Sequence, residues 1–186
     1  MHRVGQILIA VSLVALTVPA VQNSKLQPKV TTQHTTEKGA SITTVKLEPV
    51  LIQHDEATKS YTLLSVSVAY VDNSTKPKLV ALSFHSRFPD CRFSDKSGLS
   101  LTLDDDQITL TNGTDKSGNG GLWVFGEREG TLCNESCSVF LSEQTFQRLA
   151  NSKSAEARLG SATLLLDDVV LNALRYFAAR IPKGAV

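Results

Sequence analysis

The chain has 186 residues, 41% of them hydrophobic and 20% charged, with 19 Lys and Arg against 18 Asp and Glu. Charge this balanced argues against non-specific nucleic-acid binding, which rests on phosphate neutralisation by basic residues. It argues equally against a polybasic membrane-surface protein.

Met1, His2 and Arg3 give a short positive start, and an apolar run follows from Ile7 to Val18. Val18-Pro19-Ala20 then supplies the small or modest residues of a cleavage site. This is the layout of a secretory signal peptide over 1–20. The run is too short for a membrane span, which takes about 20 apolar residues. No Cys lies near the cleavage site to carry a lipid anchor, and no later stretch is long and apolar enough to span. Loss of Arg3 leaves 18 basic and 18 acidic residues. The expected location is secreted or periplasmic. Residues 21–40 are polar and rich in Thr, Lys and Gln. They read as a flexible linker. Residues 41–182 suit one β-rich domain with a C-terminal helix.

Val45 to Glu48 alternates, and Val50-Leu51-Ile52 continues as an apolar run. His54 to Lys59 is a polar turn. Leu64, Val66, Val68 and Tyr70 alternate with Ser65, Ser67 and Ala69, which predicts a strand with one buried face and one face of small residues. Asp72 to Pro77 is a loop. Val80, Leu82 and Phe84 make the next alternation. Leu99, Leu101 and Leu103 face Ile108 and Leu110 across Asp104-Asp105-Asp106, a solvated hairpin turn. Leu122 to Phe125 is a short apolar strand after a glycine-rich loop. Strands at short spacing favour antiparallel pairing, in a meander or a sandwich-like sheet.

The last stretch reads strand, short helix, hairpin, helix. Ser142 follows Val139-Phe140-Leu141 and suits an N-cap. Leu141 and Phe146 have the spacing of a hydrophobic staple. Gly160 breaks the pattern as a tight hairpin turn. Asp167 and Asp168 open the second helix. Val170, Leu174, Phe177 and Ile181 follow at helical spacing, and Pro182 and Gly184 end it. Strands first and helices last is α+β, mainly antiparallel β with a short helix and a C-terminal helix packed on it.

The cysteines are Cys91, Cys133 and Cys137. Export favours a disulfide. Cys133 and Cys137 flank three residues that could form a loop within disulfide reach. That local bridge is the favoured pairing, with Cys91 as the alternative partner. Zinc held by these three and His85 lacks a C-x-x-C pair. Asp115-Lys116-Ser117-Gly118-Asn119-Gly120 resembles the opening of a calcium loop, but Gly126 stands where its last Glu ligand belongs. A flexible glycine-rich connection is the simpler reading.

His85 lies in a strand opposite Phe84, and no Gly-x-Ser-x-Gly elbow supports a serine hydrolase. His85 and Cys91 sit too near each other in one strand region to suggest a thiol protease pair. Adjacent acids at Asp104–Asp106 do not make a facing glycosidase pair. No phosphate-cradling glycine loop occurs, and no cofactor is expected. Asn73-Ser74-Thr75, Asn112-Gly113-Thr114 and Asn134-Glu135-Ser136 are N-glycosylation triplets in a eukaryotic host. Trp123, alone in a short apolar strand, reads first as core. With Asn119 and Asp115 it is also the candidate ligand-binding set.

Phe140 to Leu174 resembles a pattern in exported bacterial proteins of unknown function. The shared features are an apolar strand, a short helix ending near Ala150-Asn151-Ser152-Lys153, then Glu156-Ala157-Arg158-Leu159-Gly160 and a Leu-rich stretch before a helix. The resemblance implies a bacterial source and transfers no functional residues. The expected function is a non-catalytic exported binding or envelope-interaction domain with a protein or glycan partner. The alternatives are a secreted hydrolase using His85, Cys91 or Asp104–Asp106, and a carbohydrate-binding domain using Trp123 and the Asn112–Gly121 loop.

Overall fold

The computed structural model describes residues 28–37, 39–71, 79–93 and 98–181. The leader, the Asp72–Pro77 loop with its glycosylation triplet, and Pro182 and Gly184 lie outside them. The fold is α+β and mainly antiparallel. Among the described residues, ten strands precede or alternate with two helices: β1 (Val30–Glu37), β2 (Ala40–Asp55), β3 (Ser60–Val71), β4 (Val80–Phe88), β5 (Leu99–Leu103), β6 (Asp106–Leu110), β7 (Gly120–Glu129), β8 (Leu132–Leu141), α1 (Glu143–Asn151), β9 (Ala155–Leu159), β10 (Ala162–Leu166) and α2 (Asp168–Ala178).

They form a six-stranded sheet, β1-β2-β3-β4-β8-β7, and a four-stranded sheet, β10-β9-β5-β6. The smaller sheet lies across the inner face of the larger, with β10 against β2 and β6 against β7. Strand alternation builds that inner face. Leu64, Val66 and Val68 of β3, Leu82 and Phe84 of β4, and Cys137, Val139 and Leu141 of β8 join one core with Leu99, Leu101 and Leu103 of β5 and Leu164 and Leu166 of β10. Both helices close that core through Phe146, Leu149, Leu174 and Phe177.

Part of the stretch expected as a linker is a strand. β1 pairs along its whole length with Ala40–Leu47 of β2. Its Thr-rich sequence buries little, so hydrophobic patterning gives no signal, but β-branched threonine fits a paired strand. β2 is longer than its alternation suggests, because bulges on either side of Val50–Leu51 interrupt the register. Pro49, which cannot donate to a ladder, sits in the first of these.

The helix starts follow their expected chemistry. Ser142 Oγ accepts from Thr145 N–H at 3.2 Å, and Asp167 Oδ1 accepts from Val170 N–H at 3.0 Å. Gly160 at φ 60° and Gly130 at φ 62° lead two-residue hairpin turns. A glycine first in such a turn supplies the positive φ that matches strand twist.

The local Cys133–Cys137 bridge is not formed. Cys91 pairs with Cys133, with Cα atoms 5.3 Å apart, and Cys137 is a buried free thiol. The expected loop is instead the first half of β8. Four residues of extended strand separate Cα atoms by about 13 Å. A disulfide tolerates about 7 Å at most.

Candidate binding face

The inner face of the large sheet ends in a polar cluster beside the disulfide. Glu135 is 5% exposed, and its two carboxylate oxygens accept from Arg92 N–H and Phe93 N–H, both at 2.8 Å. The Arg92 guanidinium lies 3.5 Å from the Phe88 ring centroid and donates to Thr62 Oγ1 at 3.1 Å and Ser86 Oγ at 3.2 Å. Burial pulls the Arg92 guanidinium below its ordinary pKa, and the Glu135 charge opposes that. Disulfide, carboxylate and guanidinium all serve to hold residues 91–93 against the sheet. Glu135→Ala would leave two backbone donors without acceptors. Thermal or denaturant unfolding should show a loss of about 2–3 kcal/mol. A loss near zero would mean that the disulfide and the Arg92 side chain hold the segment without the carboxylate.

The candidate hydrolase residues do not converge. Cys91 is consumed in the disulfide, which also removes it and Cys133 from any thiolate metal set, although Glu135 lies close by. His85 is on the outer face of the large sheet, between Leu63 and Ser136. Burial lowers its pKa, which favours the neutral imidazole. Asp104–Asp106 belong to the other sheet. They line an open cavity of about 400 Å³ with Arg148 and Asn151. Asp104 Oδ1 accepts from Lys153 and Ser154 N–H, and Asp106 pairs with Arg148 at 2.8 Å. These contacts tie the β5–β6 turn to the end of α1.

Asp115 and Asn119 are likewise bound to their own loop. Asp115 Oδ1 accepts from Ser117 N–H at 2.8 Å and Asn119 N–H at 2.9 Å, and Asn119 Nδ2 donates to Asp115 Oδ2. Hydrogen bonds, the Asn119 side chain first, hold the Asp115 carboxyl below its usual pKa. Asn119 Oδ1 in turn accepts from Ser142 N–H at 2.9 Å, joining the loop to the α1 cap. Gly120 closes the loop at φ 135°, where a Cβ would collide with the Gly113 carbonyl.

Trp123 is not core. It is 58% exposed, and Phe125, two residues on, is 46% exposed. Their ring centroids are 6.0 Å apart with planes 18° from parallel. Both stand on the outer face of β7, where register sets Trp123 beside Ser138 and Phe125 beside Ser136. Ser138 Oγ meets Ser83 Oγ of β4 at 2.8 Å. Ser65 and Leu63 of β3 continue these rows. The result is an aromatic ridge on an edge strand, bordering a serine row (Ser138, Ser83, Ser65) and a mixed row (Ser136, His85, Leu63). The sequence reading ended this strand at Phe125 and missed Glu127 and Glu129 as members of the same face. Their signal is the two-residue phase that they share with Trp123 and Phe125.

Among the described residues, no helix is long and apolar enough to cross a membrane. No family model, curated protein or solved structure matches the chain. An intramolecular disulfide of this kind fits an oxidising compartment.

Proposed function

We propose that the chain is an exported, non-catalytic interaction domain that binds a protein partner through the β7 side of its large sheet. The exposed Trp123–Phe125 pair carries this reading. Trp is among the residues most enriched in interface hot spots, and aromatic residues in general are enriched at interfaces. The leader pattern and the disulfide support secretion or a periplasmic home. The resemblance of Phe140–Leu174 to exported bacterial proteins favours the envelope. A carbohydrate ligand is the second reading, because Trp123 stands beside Ser138, whose hydroxyl meets that of Ser83.

The double substitution Trp123→Ala and Phe125→Ala tests the face. Both side chains are well exposed, so stability should change by no more than about 0.5 kcal/mol per site. Cross-linking in envelope extract should capture a partner with the natural chain and lose it with the variant. Equal capture by both would refute the β7 site. Glycan-array binding lost in the variant, without any captured protein, would favour the carbohydrate reading.

A further inference from the structure

β7 is the last strand of its sheet, and beyond its first residues its outward backbone edge is open among the described residues. The two-residue turn at Gly130-Thr131 makes Glu129 and Leu132 the first hydrogen-bonded pair of the hairpin. Alternation then turns the N–H and C=O groups of Phe125 and Glu127 toward β8. It turns those of Val124, Gly126 and Arg128 away. The same outward edge is used at the start of β7, where Leu122 N–H donates to the Thr111 carbonyl at 3.0 Å. From Val124 onward, no described backbone group completes it. An edge of this kind is a template for another strand.

We infer that β7 receives an extended polypeptide segment by strand addition, and that this segment is basic in its N-terminal half and apolar in its C-terminal half. The inference rests on the proposed interaction role. Its chemistry comes from the side chains that flank the open edge. Trp123, Phe125, Glu127 and Glu129 stand in one row on the outer face. The row is therefore apolar at one end and acidic at the other. Glu129 is shared with Asn134 Nδ2 at 3.1 Å and with Arg87 at 3.8 Å. Glu127 has no ion-pair partner among the described residues. An antiparallel strand sets its first residues beside Glu129 and Glu127, where Lys or Arg supplies the missing charge. Its later residues lie beside Phe125 and Trp123.

A second copy of the chain fits less well. The outer-face row of β7 holds no basic residue. Every antiparallel pairing of β7 with itself therefore leaves Glu127 beside Gly121, an aromatic ring or another Glu. The opposite sheet edge, β1, is Thr-rich and offers no aromatic anchor.

The probe is the acetylated, amidated peptide Lys-Thr-Lys-Thr-Val-Thr-Val, titrated into the mature protein at up to about millimolar concentration, the range of a weak short-peptide contact. Amide hydrogen exchange read by NMR should show new protection at Val124, Gly126 and Arg128. The same peptide with Glu in place of Lys should bind about tenfold more weakly. Gly126→Pro removes one outward donor at an edge position where proline is tolerated. It should keep the melting temperature and weaken the peptide by about tenfold. Absence of binding, equal binding of the Glu peptide, or protection that misses these three amides would overturn strand addition. Dimerisation of the protein through β7 in sedimentation experiments would overturn the assigned occupant. If Gly126→Pro leaves partner capture intact while the Trp123 and Phe125 double variant loses it, the interaction role stands and strand addition falls.

Discussion

Reduction of the Cys91–Cys133 bridge should lower the melting temperature by on the order of 10 °C. The bridge closes a sequence separation of 42 residues. Chain entropy alone then makes it worth about 4 kcal/mol, since the unreduced unfolded chain has that loop already closed. A chain of this size loses about 2–4 °C for each kcal/mol. The closed segment contains β5, β6 and β7, so the staple spans both sheets. Cys91 is exposed at the surface and Cys133 is fully buried, which gives a reductant access from one side. Non-reduced peptide mapping should yield a Cys91–Cys133 cross-linked peptide, with Cys137 alkylated only after denaturation. Burial pushes the Cys137 thiol up to about 12, which makes it inert in the native state. A peptide joining Cys133 to Cys137, or unchanged melting after verified reduction, would contradict this account.

The two cysteine spacings show where sequence reasoning was blind. Asn134-Glu135-Ser136 looks like a loop because all three residues favour turns or solvent. In the fold, Glu135 is an inward strand residue, and its partners are the backbone donors of Arg92 and Phe93. A buried carboxylate that caps two distant N–H groups leaves no local pattern. The periodic elements were legible because each carries its own phase. The β3 and β4 alternations, the Gly160 hairpin and the Ser142 and Asp167 caps depend on neighbours within a few residues. Trp123 misled for a different reason. Its hydrophobicity suggested core, but Glu127 and Glu129 share its phase, and a row with two acids does not face inward. Extending the strand to Glu129 is what reveals the face. The open edge beside it is a property of sheet order, which local sequence does not carry.

Phe177→Ala should cost about 3–5 kcal/mol, the range for emptying a buried aromatic site. Phe177 is fully buried, and its ring meets Phe146 edge-to-face at a centroid distance of 5.9 Å and 83° between planes. That geometry adds about 0.5–1.5 kcal/mol beyond the area buried. The pair joins α2 to α1, and α2 also packs on β2 and β10, one from each sheet. Loss of the ring therefore opens a cavity where both sheets and both helices meet. Rigid neighbours cannot collapse into such a junction, which favours the upper part of the range. Val169 on the same helix is 69% exposed, so Val169→Ala should stay within about 0.5 kcal/mol. Denaturant unfolding separates the two variants. Phe177→Ala should shift the midpoint strongly at an unchanged m-value, which marks lost stability without a change in the surface exposed on unfolding. Equal midpoints for the two variants would mean that α2 is not docked through Phe177.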